Sequence, residues 1–160
     1  PVDVADRVRD LLNLLRRTFP SSIELTVAAR GEPVPAYLDR AQFETALLNL
    51  CINARDAMPE GGQIRIEIDY PDPSLRTAGG EGALIGLSIV DTGQGMDEAT
   101  VTHVFEPFLT TKVHGKGTGL GLPLSKALAE ANRAVFTMVS EAGKGTSVEI
   151  RFPAARVLAE

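Results

Sequence analysis

The stretch QIRIEIDY, residues 63–70, alternates without a break. Ile64, Ile66, Ile68 and Tyr70 fall on one side of an extended chain, and Gln63, Arg65, Glu67 and Asp69 on the other. Successive strand side chains point to opposite faces, so this segment is predicted to be a strand buried on one face only. Such a sheet needs a second layer, and the chain supplies amphipathic helices for it. Val4, Val8, Leu11, Leu12 and Leu15 recur at helical spacing over roughly residues 3–18, with a stop near Pro20. After Asp39, a residue suited to cap a helix, Phe43, Ala46, Leu47, Leu50, Cys51, Ala54 and Met58 follow the i, i+3, i+4, i+7 pattern, and PEGG ends the run. SIELTVAA, the more fully apolar ALIGLSIVD, AVFTMVS and TSVEIRFP are predicted strands. VPAYL is a short extended piece, and GLPLSKALAEA a further helix. The order is helix, strands, helix, strands, helix, strands. It fits a two-layer α/β sandwich, with helices on one face of a mixed, mostly antiparallel sheet.

Residues 71–83 are rich in Pro, Gly and charge and are expected to be a hairpin loop. Residues 92–118 show no regular element beyond a short helix near DEATVTHV, and a stretch this long inside a small domain is expected to be a functional lid or a disordered insert. The 160 residues are expected to form one domain. A net charge of −5 argues against a nucleic-acid partner, although local lysines and backbone amides can still hold an anionic ligand. The single Cys51 sits in an apolar run and reads as a buried hydrophobe, and a chain without a disulfide suits a reducing cytoplasm. No apolar run approaches the ~18 residues of a membrane span, so no direct membrane contact is expected. The opening PVDVADRV has neither an initiator Met nor a signal peptide, and reads as part of something longer.

Three glycine clusters carry the chemistry. In DTGQGM, Gly93 and Gly95 permit a tight turn and a close approach, and Asp91 can accept hydrogen bonds from the exocyclic amine of a flat ring; a plain turn with an Asx cap is the alternative. GKGTGLGL places four glycines in seven residues ahead of a helix, leaving backbone N–H groups to converge on an anion; it lacks the Gly-Lys-Ser/Thr ending of a Walker loop. In GKGTSVEI, Thr146 is the one candidate contact within what could be a hairpin turn. Asn49, Asn53 and Asp56 stand at i, i+4 and i+7 on one helix flank. Amides are poor helix formers and poor core residues, yet their oxygens suit Mg²⁺, which keeps waters and phosphate oxygens as its other ligands. A solvated flank would more naturally use Lys and Glu. VFEPFLTTK could pin a lid through Phe105 and Phe108, while Lys112 and Lys116 could approach phosphates as point charges. His103 and His114 lack a carboxylate arranged for acid–base work and form no metal pair.

These segments, in this order, resemble the ATP-binding catalytic domain of sensor histidine kinases, part of the GHKL superfamily with gyrase and the chaperone and mismatch-repair ATPases. LLNLCINARDAM resembles the N box, DTGQGM the G1 box, VFEPFLTTK the F box, GKGTGLGL the G2 box and GKGTSVEI the terminal glycine box, so the likeness spans nearly the whole chain. It implies the Bergerat α/β sandwich and an ATP site. By that resemblance Asp91 reads the adenine amine, Gly93, Gly95 and Met96 line the base, Asn53 ligates Mg²⁺ and Asn49 lies beside the phosphates. The ATP contacts extend to Asp56, Thr111, Lys112, Gly115, Lys116, Gly117, Thr118, Gly119, Leu120, Gly121, Leu122 and Thr146, with a lid over approximately 96–116. The superfamily's hydrolases carry a water-activating Glu where this chain has Asn49, which cannot act as a general base. Two departures stand out: Asp56 and Ala57 follow the Asn-Ala pair in place of the more usual residues, and EANRAVF lacks a common Gly-Gly.

The implied activity is transfer of the γ-phosphate of Mg–ATP to a histidine on a dimerisation domain that this sequence does not contain, for two-component signalling through a response regulator. The isolated domain is expected to be monomeric and the full-length protein a homodimer. The alternatives are a nucleotide-sensing module without phosphotransfer, and a serine kinase of the anti-sigma type.

Overall fold

The computed structural model of the chain describes residues 2–36, 38–71, 84–96, 126–127, 130 and 134–153. The expected loop over residues 71–83, apart from Pro71, the short helix near DEATVTHV and most of the GLPLSKALAEA helix lie outside these; of the last, residues 126, 127 and 130 are helical.

Helix α1 runs Val4–Thr18, and its N-cap Asp3 accepts the Asp6 N–H at 3.1 Å, satisfying one of the amides left over at a helix start. Arg16 and Arg17 stand in its last turn, where cations suit the negative end of the helix dipole. Helix α2 runs Arg40–Asp56. Its cap is Asp39, as the sequence predicts, accepting the Gln42 N–H at 3.0 Å. Among the described residues no helix is long and apolar enough to cross a membrane.

The strands are β1 (Ile23–Arg30), β2 (Gly62–Asp69), β3 (Leu84–Asp91), β4 (Val135–Glu141) and β5 (Gly145–Pro153). They form a sheet of order β1-β2-β3-β5-β4. β1 and β2 are parallel and joined through α2, because a parallel pair needs a crossover connection; the other three pairings are antiparallel. The expected α/β architecture with a mixed, mostly antiparallel sheet is the one observed.

Ile64, Ile66 and Ile68 are completely buried, and Phe43 of α2 meets Phe152 of β5 edge-to-face with ring centroids 6.0 Å apart. Both helices cover this inner face, α1 through Val4, Val8 and Leu12, α2 through Leu47, Leu50 and Cys51. Cys51 is fully buried, and that burial pushes its thiol up to about 12, so it behaves as a small hydrophobe. ALIGLSIVD departs from its reading as a more fully apolar strand: Ile85, Leu87 and Ile89 are buried while Gly86, Ser88 and Val90 are half-buried. β3 is central, but among the described residues one of its faces carries no second layer, so it alternates like β2.

A one-sided core makes an asymmetric prediction. Ile66→Ala leaves a cavity beneath the helical layer and is expected to cost about 2–5 kcal/mol. Val139→Thr, on the outer face of β4 at 73 % exposure, is expected to change stability by less than about 0.5 kcal/mol. Denaturant unfolding measures both, and equal effects would contradict the assignment of faces.

Candidate nucleotide site

The site begins with strand register. Asp91 pairs with Ile64, which places its side chain on the inner face, continuing the row of Ile85, Leu87 and Ile89. Next along, Val90 pairs with Ser147, so the same ladder carries Asp91 to Thr146, which in turn pairs with Ser140 of β4. Asp91, Thr146 and Ser140 therefore form a polar row across three strands, at the end of an otherwise apolar face.

Asp91 is buried, and its Oδ1 accepts the N–H of Gly93 at 2.8 Å and of Thr146 at 3.2 Å. Burial raises the carboxyl above its ordinary value, and the two backbone hydrogen bonds pull the other way. The hydroxyls of Ser140 and Thr146 lie 2.7 Å apart, and Ser140 Oγ also accepts the Met96 N–H at 2.8 Å.

The loop from Thr92 to Met96 is fastened on several sides. Thr92 exchanges two hydrogen bonds with Gln63 at the start of β2: its N–H donates to the Gln63 carbonyl at 3.2 Å, and its Oγ1 accepts the Gln63 N–H at 3.1 Å. Gln94 N–H donates to the Ala57 carbonyl at 3.0 Å, just past the end of α2, and Gly143 N–H in the β4–β5 turn donates to the Gln94 carbonyl at 2.7 Å. The loop and the start of β5 run so close to neighbouring backbone that Gly95 and Gly145 do not tolerate a Cβ. At Gly95, with φ +67°, it would strike the Glu141 carbonyl; at Gly145, with φ +111°, the Asp91 carbonyl. The close approach that the sequence suggests at Gly95 is made here by the protein's own backbone.

On α2, Asn49, Asn53 and Asp56 are half-buried on the flank away from Leu47, Cys51 and Ala54. Asn53 precedes Ala57, the anchor of the loop, by one turn, about 6 Å along the axis, and Asn49 by two, about 12 Å. The two amides thus lead away from the Asp91 row along the helix. Asp56 accepts the Arg55 guanidinium at 3.2 Å, and Arg55 lies over the Phe19 ring at 5.2 Å, so this carboxylate takes part in a link between α2 and the end of α1.

The structure thus brings Asp91, Gly93, Gly95, Met96 and Thr146 together and sets Asn53 one turn from them. Phe105, Phe108, Thr111, Lys112, Gly115, Lys116, Gly117, Thr118, Gly119, Leu120, Gly121 and Leu122, with the lid beyond Met96, lie outside the described residues. Sequence reasoning missed Ser140. The available signal was AVFTMVS itself, whose inward positions Phe136 and Met138 are followed by a hydroxyl.

Residues 38–156 match the family described as histidine kinase-, DNA gyrase B- and HSP90-like ATPases, and the chain belongs to it. Among curated relatives, the sensor kinase CckA of Brucella abortus is 36 % identical over 95 % of this chain and 17 % of its own length. The cell-division control histidine kinase PdhS of Brucella canis is 33 % identical over 92 % of this chain and 14 % of its own. The chain thus spans less than a fifth of either relative. Among solved structures, the mycobacterial sensor histidine kinase MprB superposes with a TM-score of 0.77 at 25 % identity, over 98 % of this chain and 97 % of that one. Full-length ShkA in complex with AMPPNP gives 0.81 at 24 % identity, over 99 % of this chain and 32 % of that one.

The buried carboxyl predicts a pH dependence. A group whose folded pKa is raised contributes stability that is complete below its unfolded-state pKa and is lost as pH rises through the folded one. Asp91→Asn keeps an acceptor for both amides and stays neutral throughout. Its stability relative to the unaltered chain should therefore rise as pH climbs from about 4 to about 7. Denaturant unfolding across that range measures it; a flat or falling difference contradicts the buried-carboxyl account.

Proposed function

We propose that this chain is the ATP-binding domain of a sensor histidine kinase: one domain over residues 1–160 that holds Mg–ATP and presents its γ-phosphate to a histidine on a separate dimerisation domain. The observation that carries the reading is the buried Asp91 carboxylate. Two backbone amides hold it in place through one oxygen, and a carboxylate offers about four lone-pair sites, so acceptor capacity remains for an amine. Family membership and the two kinase relatives support the same reading.

The residues present fit the ligand. Asp91 is an acceptor for the adenine amine, with Gly93, Gly95 and Met96 along the base and Thr146 beside it. Asn53 and Asn49 continue towards the phosphate end with neutral amide oxygens of the kind Mg²⁺ accepts. Bound there, Mg²⁺ supplies neutralisation of the phosphate charge. Gly115 to Leu122, Thr111, Lys112 and Lys116 complete the phosphate side, under a lid over approximately 96–116. Asn49 stands where the hydrolases carry a glutamate and has no basic lone pair to accept a proton from water. What the chain's residues supply is orientation, which does most of the work in phosphoryl transfer. In the whole protein we place this domain in the cytoplasm, working as a homodimer with its own acceptor domain and passing phosphate to the receiver domain of a response regulator.

Two measurements test the reading. Binding of a fluorescent ATP analogue to this chain should weaken by about tenfold or more in Asp91→Asn, one lost charge-assisted hydrogen bond being worth that much. Asn53→Ala should weaken binding only when magnesium is present. In the full-length protein, label from γ-labelled ATP should appear in an acid-labile, base-stable form. Label on serine, or none despite tight binding, would sink the histidine-kinase reading; unchanged affinity in both variants would refute the site.

A further inference from the structure

The hydroxyl of Ser140 has no role in the reading above, yet it closes the polar row at its β4 end. It accepts the Met96 N–H at 2.8 Å, lies 2.7 Å from Thr146 Oγ1 and 3.3 Å from the Gly145 carbonyl. A serine hydroxyl has one proton and two lone pairs. One lone pair is taken by Met96, and the proton has two destinations, Thr146 and Gly145. The Thr146 separation is the ordinary length of an O–H···O bond, and the Gly145 separation is long for one. When the Ser140 proton goes to Thr146, the Thr146 hydroxyl is left with its own proton to donate. Ser140 is half-buried on β4, and Thr146 also gives its N–H to Asp91. One side chain thus fixes the end of the loop at Met96, orients the Thr146 hydroxyl, and through Thr146 adjoins the Asp91 carboxylate.

We propose that Ser140 is a positioning residue for the base end of the nucleotide, holding Met96 in place and setting Thr146 as a hydrogen-bond donor. This rests on the nucleotide reading and deepens it. Ser140 touches Met96, Gly145 and Thr146 and acts through them.

Its signature is a loss that follows the base and ignores the phosphates. Displacement of a fluorescent ATP analogue gives the affinities of AMP, ADP and Mg–ATP for the chain. Ser140→Ala is expected to weaken all three by the same factor, about fivefold to tenfold for a lost hydrogen-bonded hydroxyl. Ser140→Thr, which keeps the hydroxyl on a strand that tolerates β-branching, should restore them. Ser140→Cys, nearly the same size but a weak donor and acceptor, should not. Asn53→Ala is the contrast, with a loss for Mg–ATP and none for AMP. Should Ser140→Ala fail to fold, the Thr and Cys pair decides alone. Equal affinities for Ser140→Ala and the unaltered chain, a loss confined to Mg–ATP, or Ser140→Thr as weak as Ser140→Cys would each overturn the inference while leaving the nucleotide site standing. If the unaltered chain binds no adenine nucleotide, the reading and the inference fall together.

Discussion

The hydrogen bonds from the Gly93 and Thr146 amides to the Asp91 carboxylate join parts of the chain up to 55 residues apart. They exist only because the strand register places Asp91 on the inner face. A slip of one residue would send it outward and bring Val90 in, since strand side chains alternate with period two. What prevents the slip is apolar burial elsewhere on the same strands: Ile64, Ile66 and Ile68 on β2, Leu87 and Ile89 on β3. The alternation that defines the sheet therefore also delivers a carboxylate to a place where a carboxylate is costly. Desolvating an ion costs several kcal/mol, and hydrogen bonds to a charged group return roughly 1.5–3 kcal/mol each. The raised pKa of Asp91 shows that two such bonds leave the balance incomplete.

The same crossing accounts for the local stiffness of the site. Gly95 and Gly145 have positive φ and run so close to other backbone that a Cβ would collide. Around them the loop is held by Gln63, Ala57, Gly143 and Ser140, contributed by β2, the residue after α2, the β4–β5 turn and β4. A loop bonded to four parts of the sheet-and-helix frame moves with that frame, which in the proposed reading suits the base end of the nucleotide.

Most of the fold was legible because its signals are local. The Ile64–Ile68 alternation, the Val4–Leu15 and Phe43–Met58 stripes and the Asp39 cap are each decided within a few residues. Strand order was not, since nothing in a strand's own pattern says that β5 lies between β3 and β4. The more fully apolar look of β3 did not foretell its alternating burial for a related reason: Val90 and Gly86 look apolar in sequence whether or not a layer covers them. The glycines show a further limit. A missing Cβ signals close approach without saying to what, and at Gly95 the partner is Glu141 of the same chain. For Ser140 the alternation of AVFTMVS gives the face it occupies, but its partners come from a cross-strand register that a serine in a strand does not announce.

The asparagines of α2 fit within this physics. Amides weaken a helix because their side chains compete for backbone hydrogen bonds, yet most helix stability in proteins comes from packing of the apolar face. α2 has that in Phe43, Leu47, Leu50, Cys51 and Ala54, and an Asp39 cap besides. Its opposite flank can therefore carry weak helix formers at little risk to the fold. In the proposed reading that freedom is used to keep the phosphate end free of carboxylates at positions 49 and 53. A glutamate at 49 would repel the phosphates, weakening their binding, and offer water a base, shortening the life of a γ-phosphate meant for a protein acceptor. An amide does neither. In that reading a charge is tolerated at Asp91 because the base end of ATP is neutral and offers an amine, and positions 49 and 53 carry amides because the ligand beside them is already an anion.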